Sequence, residues 1–395
     1  MRKLLVAVLL LTMMTPCLKA QKKELSQARS YIKSSKFVEA ENLMTSLLKD
    51  TTNQDNKRIH QMRFEAVHGQ YEQANERMYL KQKQDTLAFF NLLKRLFIVA
   101  ETLDSLDARP DSKGRVAPEY RQKHAALLHQ YRSNIFNGGA FLTRKGQWKQ
   151  AYDFYEVYLD CARQPLFADY YYDSLDVRMP EAAYWATYDG YKMNDAVLTL
   201  RHRHLALKDS TRAPFTLQYI AEARRWLKDD ELYLETLKEG FRLYPHFPYF
   251  FPRLVDFYNA RGQYTQSLAV CDSALVLNDS SELYLYAKSS ALLQLERYGD
   301  CVKVSEKLIS INDSLPEVYY NVGMAYTYIA DRAATRKQRK VNKSNYQKAK
   351  TYMERYRKMK PDEQQKWAPA LYRIYLNLNM GKQFDEIDRL LKNTL

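Results

Sequence analysis

The sequence predicts an all-α protein, an α-solenoid in which antiparallel helical hairpins stack one on the next. Two observations lead to this fold class: a 34-residue period in the second half of the chain, and a scarcity of turn-forming residues. The 395 residues include only 11 Gly and 12 Pro, whereas all-β folds need many more turns. Hydrophobic residues make up 46% of the chain, which is enough for an extended core.

The period is clearest between residues 247 and 361, where large residues recur at intervals of 34 in several registers at once. The recurring positions are Phe251, Leu285 and Tyr319; Tyr258, Leu292 and Tyr326; Tyr264 and Tyr298; and Ser267 and Cys301. Registers that share one period are hard to produce by chance. One hairpin cannot bury its outer apolar face, so the next hairpin must cover it, and the aromatic residues are predicted to fill the seam.

These residues resemble the tetratricopeptide repeat (TPR). Residues 319–326 resemble the first helix of a TPR unit, residues 346–349 resemble its second helix after an insertion, and Pro361 closes the unit. Gly262 fits the turn between the two helices of an earlier unit. The resemblance implies a right-handed superhelix and protein binding, and the overall pattern is similar to TPR proteins exported by bacteria of the Bacteroidetes type.

The chain divides into regions that resemble the TPR pattern to different degrees. We predict a signal peptide at 1–20, irregular helical repeats at 21–130, divergent TPR-like repeats at 131–246, and regular TPR repeats with a basic insert (331–345) at 247–395. Within the irregular part, two longer helices are expected at 57–80 and 85–106, the second capped by Asp85. Residues 104–118 are expected to form a solvated loop, and residues 160–181 to form a long connection folded over a neighbouring groove.

The N-terminus has the features of a secretory signal peptide. A short basic start precedes an apolar stretch at 4–14, and Ala20 is a suitable small residue for cleavage. Lipoprotein signals place a small residue before the cysteine, so Pro16 directly before Cys17 argues against lipidation. An uncleaved N-terminal anchor is the alternative. We therefore expect an exported, periplasmic or outer-envelope-associated protein without a membrane-spanning segment after the leader.

The formal net charge of +15 favours an acidic partner: a protein face, anionic lipid headgroups or a polyanion. It does not single out nucleic acid, which export and the lack of a recognisable nucleic-acid-binding module argue against. Beyond the leader, three cysteines remain, too few for a disulfide framework. Buried free thiols are expected at Cys161, Cys271 and Cys301, and pairing of Cys271 with Cys301 is the alternative.

Candidate contact residues follow from the repeat register. The first helices of the hairpins should line the concave face of the superhelix with Tyr249, Asp256, Asn259, Tyr286, Ser290, Gln294, Tyr320, Met324 and Tyr328. Large amphipathic rings with amides between them suit capture of an extended peptide. The alternative is that these aromatic residues belong to the core between repeats.

The basic insert supplies a second candidate surface. Its cations are Arg332, Arg336, Lys337, Arg339, Lys340 and Lys343, opposed by one acid, Asp331. One interpretation is an electrostatic clamp for an acidic partner or a membrane surface. The other is a solvated loop that extends a helix.

The sequence lacks the short motifs of common catalytic, metal-binding and phosphate-binding sites. The chain has no Gly-rich phosphate loop, no C-x-x-C, no H-E-x-x-H and no G-x-S-x-G. His202 and His204 are two residues apart, which on a helix points them to different sides. The sequence therefore predicts no enzyme, metal or cofactor. It predicts a non-catalytic scaffold or chaperone-like module of the cell envelope that binds another protein; the alternative is binding of cell-wall glycan or another anionic envelope polymer.

Overall fold

The computed structural model describes residues 22–332 and 339–392. The predicted signal peptide, and Arg336 and Lys337 of the predicted insert, lie outside these ranges. Within them the secondary structure is helical, with no β-strand. None of the described helices is long and apolar enough to cross a membrane. The chain forms two compact units, Met1–Asp229 and Asp230–Leu395.

The first unit contains eleven α-helices among its described residues. They are α1 (22–33), α2 (Phe37–Leu47), α3 (Lys57–Tyr79), α4 (Thr86–Asp107), α5 (Arg121–Arg144), α6 (Trp148–Asp160), α7 (Tyr172–Leu175), α8 (Met179–Lys192), α9 (Ala196–Arg201), α10 (Arg203–Ala206) and α11 (Ala213–Trp226). Short 3-10 helices lie at Thr51–Asn53 and Pro165–Tyr170. Helices α3 and α4 match the two predicted long helices, and the Asp85 carboxylate accepts hydrogen bonds from the backbone N–H groups of Leu87 and Ala88, which confirms the cap.

The second unit continues as helical pairs. Its helices are α12 (Asp230–Leu243), α13 (Phe250–Asn259), α14 (Tyr264–Leu277), α15 (Glu282–Gln294), α16 (Tyr298–Ile311), α17 (Pro316–Asp331), α18 (Arg339–Met359), α19 (Gln364–Asn377) and α20 (Gly381–Lys392). The 34-residue period corresponds to one helical pair: α14 and α16 begin at Tyr264 and Tyr298, two of the residues that repeat at this interval.

Aromatic contacts show that the paired helices run antiparallel. Between α17 and α18, the ring centroids of Tyr320 and Tyr356 are 5.3 Å apart, and those of Tyr326 and Tyr352 are 6.0 Å apart. Residue numbers therefore rise along one helix as they fall along the other. The predicted all-α fold of antiparallel hairpins is confirmed, whereas the handedness of a superhelix stays a prediction.

The acidic segment after α4 differs from its predicted form. The solvated loop was expected to begin at residue 104, but α4 continues to Asp107, and Asp104 and Asp107 are buried. Arg121 donates two hydrogen bonds of 2.8 Å to the Asp104 carboxylate, and Lys57 Nζ lies 3.2 Å from Asp107 Oδ1. Because these partners come from neighbouring helices, the two acids hold the first unit together instead of extending into solvent.

The connection between α6 and α8 packs on α5, as predicted for a segment folded over a neighbouring groove. The Tyr170 ring stacks on His129 of α5 with 4.3 Å between centroids, and the Tyr172 hydroxyl lies 2.8 Å from His129 Nδ1. These contacts turn an irregular connection into an ordered part of the first unit.

The three cysteines of the described chain are free and buried, which confirms the predicted thiols and excludes the Cys271–Cys301 disulfide. Burial raises the pKa of Cys271 to about 12, and it also raises the pKa of Cys161. At neutral pH these side chains are therefore protonated thiols, which react poorly.

Gly190 of α8 lies directly against the backbone of α9, and replacing it should destabilise the fold. A Cβ atom at this position of α8 would lie 2.6 Å from the backbone nitrogen of Thr199 in α9, and backbone cannot move aside as a flexible side chain can. We expect Gly190→Ala to lower the free energy of unfolding by about 2 kcal/mol or more, measured by urea denaturation.

Gly299→Ala is the matched control, because no atom lies within 4 Å of the Cβ that it would add to α16. This change should leave stability equal or slightly increased, since Ala favours a helix more than Gly does. Equal stability of the two variants would show that the α8–α9 contact is looser than the structure indicates.

Candidate functional site

The nine predicted contact residues lie on α13, α15 and α17 or directly before α13, and all keep solvent-accessible surface. Asp256, Tyr286 and Gln294 are exposed; Tyr249, Asn259, Ser290, Tyr320, Met324 and Tyr328 are half-buried. We call the accessible side of these three helices the first-helix face, because each helix is the first of its hairpin. What the side chains contact differs along this face.

An open cleft lies on the first-helix face, where α15 and α17 begin. It has a volume of about 570 Å³ and is lined by Glu282, Leu283, Tyr286, Leu315 and Glu317. The Leu283 side chain is 50% exposed and Tyr286 is 36% exposed, so an apolar surface is open to a partner. Two carboxylates border this surface, which makes the cleft amphipathic.

Neighbouring polar groups orient the two carboxylates of the cleft. Asn312 Nδ2 donates a hydrogen bond of 2.8 Å to Glu282 Oε2, and Lys360 Nζ lies 4.0 Å from Glu317 Oε1. Lys366 at the start of α19 has a raised pKa, mainly through its hydrogen bond to Glu363, with further contributions from Glu363, Glu317 and Tyr286. The lining of the cleft thus holds two carboxylates and no cation, while Lys360 and Lys366 lie beside Glu317 just outside it.

Two other predicted rings take part in helix packing. Tyr320 contacts Tyr356, a fully buried ring of α18, and burial raises the pKa of the Tyr320 hydroxyl. Tyr328 stacks on Tyr298 with 5.0 Å between centroids. Both rings therefore match, in part, the alternative interpretation in which the aromatic residues belong to the core.

Two half-buried polar residues of the face, Asn259 and Ser290, are in different situations. Asn259 Oδ1 is buried and has no hydrogen-bond partner among the described residues. Ser290 Oγ instead accepts a hydrogen bond of 3.1 Å from Asn321 Nδ2, which ties α15 to α17. Burial keeps Asn259 Oδ1 out of reach of a partner, and the Ser290 hydroxyl already has one structural contact.

The basic insert is partly helical. Asp331 ends α17 and residues 339–345 form the first turns of α18. Arg332 pairs with Glu296 and lies 4.7 Å from the ring centroid of Tyr298, and Lys343 is exposed. Arg339 and Lys340 belong to α18, but their side chains lie outside the described part.

The sequence did not point to four residues that line the cleft: Glu282, Leu283, Leu315 and Glu317. Leu283 could have been identified, because it lies one helical turn before Tyr286 and so shares its side of α15. Leu315 and Glu317 come from the next hairpin, and only the packing of α17 beside α15 brings them to Tyr286.

A second cavity of about 570 Å³ lies in the first unit, beside His129 and Arg132. The Arg132 guanidinium is buried between the rings of Tyr158 and Tyr172, 3.7 and 3.8 Å from their centroids, and pairs with Asp176. The two rings cover both faces of the guanidinium, and Asp176 balances its charge. This arrangement stabilises the connection over α5.

Two carboxyl groups in the first unit have strongly perturbed pKa values. Burial raises the pKa of Asp189 to about 8, although Thr143 donates to it over 3.2 Å, and burial raises the pKa of Glu101 to about 8. Perturbed acids can mark catalytic sites. Asp189 has no exposed surface, however, so a substrate could not reach it. Among the described residues no group of three His, Cys, Asp or Glu side chains could hold a metal ion.

Comparison with known proteins gives likeness in structure only. No protein-family model matches the chain, and no curated protein is similar in sequence. The C-terminal part of a TPR repeat-containing protein from Cytophaga hutchinsonii is 10% identical with a TM-score of 0.45, over 64% of this chain and 92% of that one. The structure of pilF from Pseudomonas aeruginosa is 14% identical with a TM-score of 0.35, over 59% and 93%.

The TPR domain of P58(IPK) is 13% identical with a TM-score of 0.27, over 94% of this chain and 98% of that one. All three TM-scores are below 0.5, so no residue of this chain is equated with a residue of those proteins. The interpretation of the cleft therefore depends on its own geometry.

Tyr286 and Tyr320 should respond differently to replacement by Ala. Tyr286 is exposed in the cleft, so Tyr286→Ala should change the free energy of unfolding by no more than about 0.5 kcal/mol. Tyr320 packs on Tyr356, so Tyr320→Ala should cost about 2 kcal/mol through lost packing. Urea denaturation followed by circular dichroism measures both. A large loss for Tyr286→Ala would place its ring in the core.

The buried Asp189 should make stability fall as pH rises. Its pKa is 3.8 in ordinary surroundings and about 8 in the fold, so between these values the folded chain keeps a proton that the unfolded chain has released. Each such group lowers the free energy of unfolding by up to about 1.4 kcal/mol per pH unit over that interval. Asp189→Asn should therefore lose less stability between pH 5 and pH 8 than the unmodified protein, measured by urea denaturation.

Asp169→Asn serves as the control for this experiment, because Asp169 is an exposed carboxylate of the same unit. It should reproduce the pH dependence of the unmodified protein. An unchanged pH dependence in Asp189→Asn would show that the Asp189 carboxyl is ionised in the fold.

Proposed function

We propose that this protein is a non-catalytic binding module of the cell envelope that captures an extended segment of another protein on its first-helix face. The observation that carries the proposal is the open cleft where α15 and α17 begin, with Leu283 and Tyr286 exposed between Glu282 and Glu317. An exposed aromatic and aliphatic pair next to fixed polar groups is the usual anchor of a protein interface.

The chemistry of the cleft favours a segment that carries an apolar side chain next to a basic one. Leu283, Tyr286 and Leu315 would cover the apolar side chain, while Glu282 and Glu317 would accept hydrogen bonds from Lys, Arg or backbone N–H groups. The net charge of the chain favours an acidic partner, but the two carboxylates that line the cleft favour a basic segment. We give the local charges more weight, because screening limits distant ones.

An extended segment also suits the rest of the face. Asp256, on the hairpin before the cleft, and Gln294, at the end of α15, are exposed. Their carboxylate and amide oxygens can accept hydrogen bonds from backbone N–H groups of a bound segment. The envelope location rests on the predicted signal peptide at 1–20, and a chaperone-like role would use the same face.

Site-specific photo-crosslinking in intact cells tests the proposal. A photoreactive residue at Tyr286 should give an adduct with a distinct protein, because this position borders the cleft. Val276 of α14 is the matched control position, since it is 86% exposed but lies on a second helix. We expect the adduct from position 286 and at least about tenfold less from position 276, as judged by immunoblot and mass spectrometry of the adduct.

Equal adducts from both positions would contradict specific capture on the first-helix face. Adducts with glycan alone would favour the alternative function, in which the protein binds cell-wall glycan or another anionic envelope polymer. The crosslinked peptide also tests the chemistry, because we expect an apolar residue next to Lys or Arg. A strongly acidic segment would contradict the assignment of the two carboxylates.

A further inference from the structure

Helix α18 holds a large share of the basic charge of the protein. Its 21 residues include eight Lys or Arg and one Glu, a net charge of +7, whereas the whole chain carries +15. The concentration extends past the predicted insert, which ended at residue 345, to Lys358 near the end of the helix. This helix is the second of its hairpin, so its charge lies on a different helix from the cleft.

Four of the eight cations of α18 lie along its exposed side. Spacings of three, four and seven residues place side chains on the same side of a helix. We define the row as these four cations, Lys343, Lys348, Arg355 and Lys358, together with the polar residues Ser344, Gln347 and Thr351 between them. All seven residues are exposed. The opposite side is buried in the core with Tyr346, Ala349, Met353 and Tyr356. The helix is therefore fixed with its basic side outward.

Acidic neighbours do not neutralise this row. Glu354 accepts a hydrogen bond from Tyr375, and Glu306 of α16 accepts two from tyrosine hydroxyls. Glu386 of α20 pairs with Arg357, which is outside the row. None of the four cations of the row has an ion-pair partner among the residues that the structure describes. Two of the four charged groups lie near tyrosine rings: Lys348 Nζ is 5.2 Å from the centroid of Tyr326, and Arg355 Cζ is 5.9 Å from the centroid of Tyr319.

We propose that this row docks the protein on a membrane surface rich in anionic phosphate headgroups. From Lys343 to Lys358 the row is about 22 Å long, at 1.5 Å per residue. Mobile headgroups can move to cations at any spacing, and the hydroxyl and amide donors between them can bond phosphate oxygens. The row has no exposed large apolar residue, so the helix lies against the headgroups without entering the hydrocarbon.

An acidic protein segment fits the row less well. Protein interfaces are centred on buried aromatic or aliphatic anchors, and the row presents only cations, hydroxyls and an amide. The cleft offers such anchors on the first-helix face, so the two surfaces have different chemistry. Because they lie on different helices, the membrane contact does not depend on the proposed capture of a segment.

Vesicle sedimentation tests this proposal. The protein without residues 1–20, its proposed mature form, is mixed with phosphatidylcholine vesicles that contain or lack phosphatidylglycerol. We expect binding only with phosphatidylglycerol, lost at high salt. Replacing all four cations of the row by Gln (K343Q, K348Q, R355Q and K358Q) should weaken the apparent affinity about tenfold or more.

The control variant removes four exposed lysines of the first unit: K33Q, K36Q, K49Q and K83Q. It changes the net charge equally, so we expect affinity within about twofold of the unmodified protein. Thermal melting by circular dichroism shows whether both variants remain folded. If the quadruple row variant unfolds, the double variant K343Q and K358Q replaces it, and we expect its apparent affinity for the vesicles to fall about threefold or more. Equal losses in row and control variants would overturn the proposal.

Absence of binding to phosphatidylglycerol vesicles would overturn it as well. Retention on immobilised polyglutamate that depends on the row, without vesicle binding, would assign the row to an acidic protein or polymer. The photo-crosslinking experiment at position 286 tests the cleft separately. A negative result for the membrane proposal is therefore distinguishable from a negative result for the proposed capture of a segment.

Discussion

Close approach of paired helices is the constraint on which the rest of the structure depends. Large side chains of one helix lie against small residues of its partner: a Cβ atom at Gly139 of α5 would lie 2.8 Å from the Tyr155 ring of α6, and one at Gly323 of α17 would lie 2.9 Å from the Met353 side chain of α18. Such contacts leave almost no free space between the helices of a hairpin. Each hairpin then offers a smooth apolar side on which the next one can pack.

This packing also determines which surfaces are left for binding. Aromatic rings that fill the seams are buried, so the accessible side of each first helix keeps only a few large residues, of which Tyr286 is the most open among the predicted aromatic ones. The exposed side of a second helix can carry charge without disturbing the core. Helix α18 shows this separation, because its apolar side is buried while its basic side is exposed.

The sequence allowed prediction of features that depend on local spacing. The period predicted the hairpins, and Asp85 predicted a helix cap, because both follow from neighbours along the chain. Features set by distant partners were missed. The burial of Asp104 depends on Arg121, which lies on another helix, so the loop prediction for that segment was wrong at its start. The cleft needs two hairpins side by side, and the period alone does not show which side chains meet.

The buried cysteines have a consequence for the life of the protein in an oxidising compartment, which the proposed export implies. Thiol–disulfide exchange requires a thiolate that can be reached, and the folded chain presents neither an accessible nor an ionised sulfur at Cys161 or Cys271. An unfolded chain exposes its thiols at their ordinary reactivity. Oxidation would therefore distinguish molecules by folding state, sparing those that have folded and forming disulfide crosslinks in those that remain unfolded.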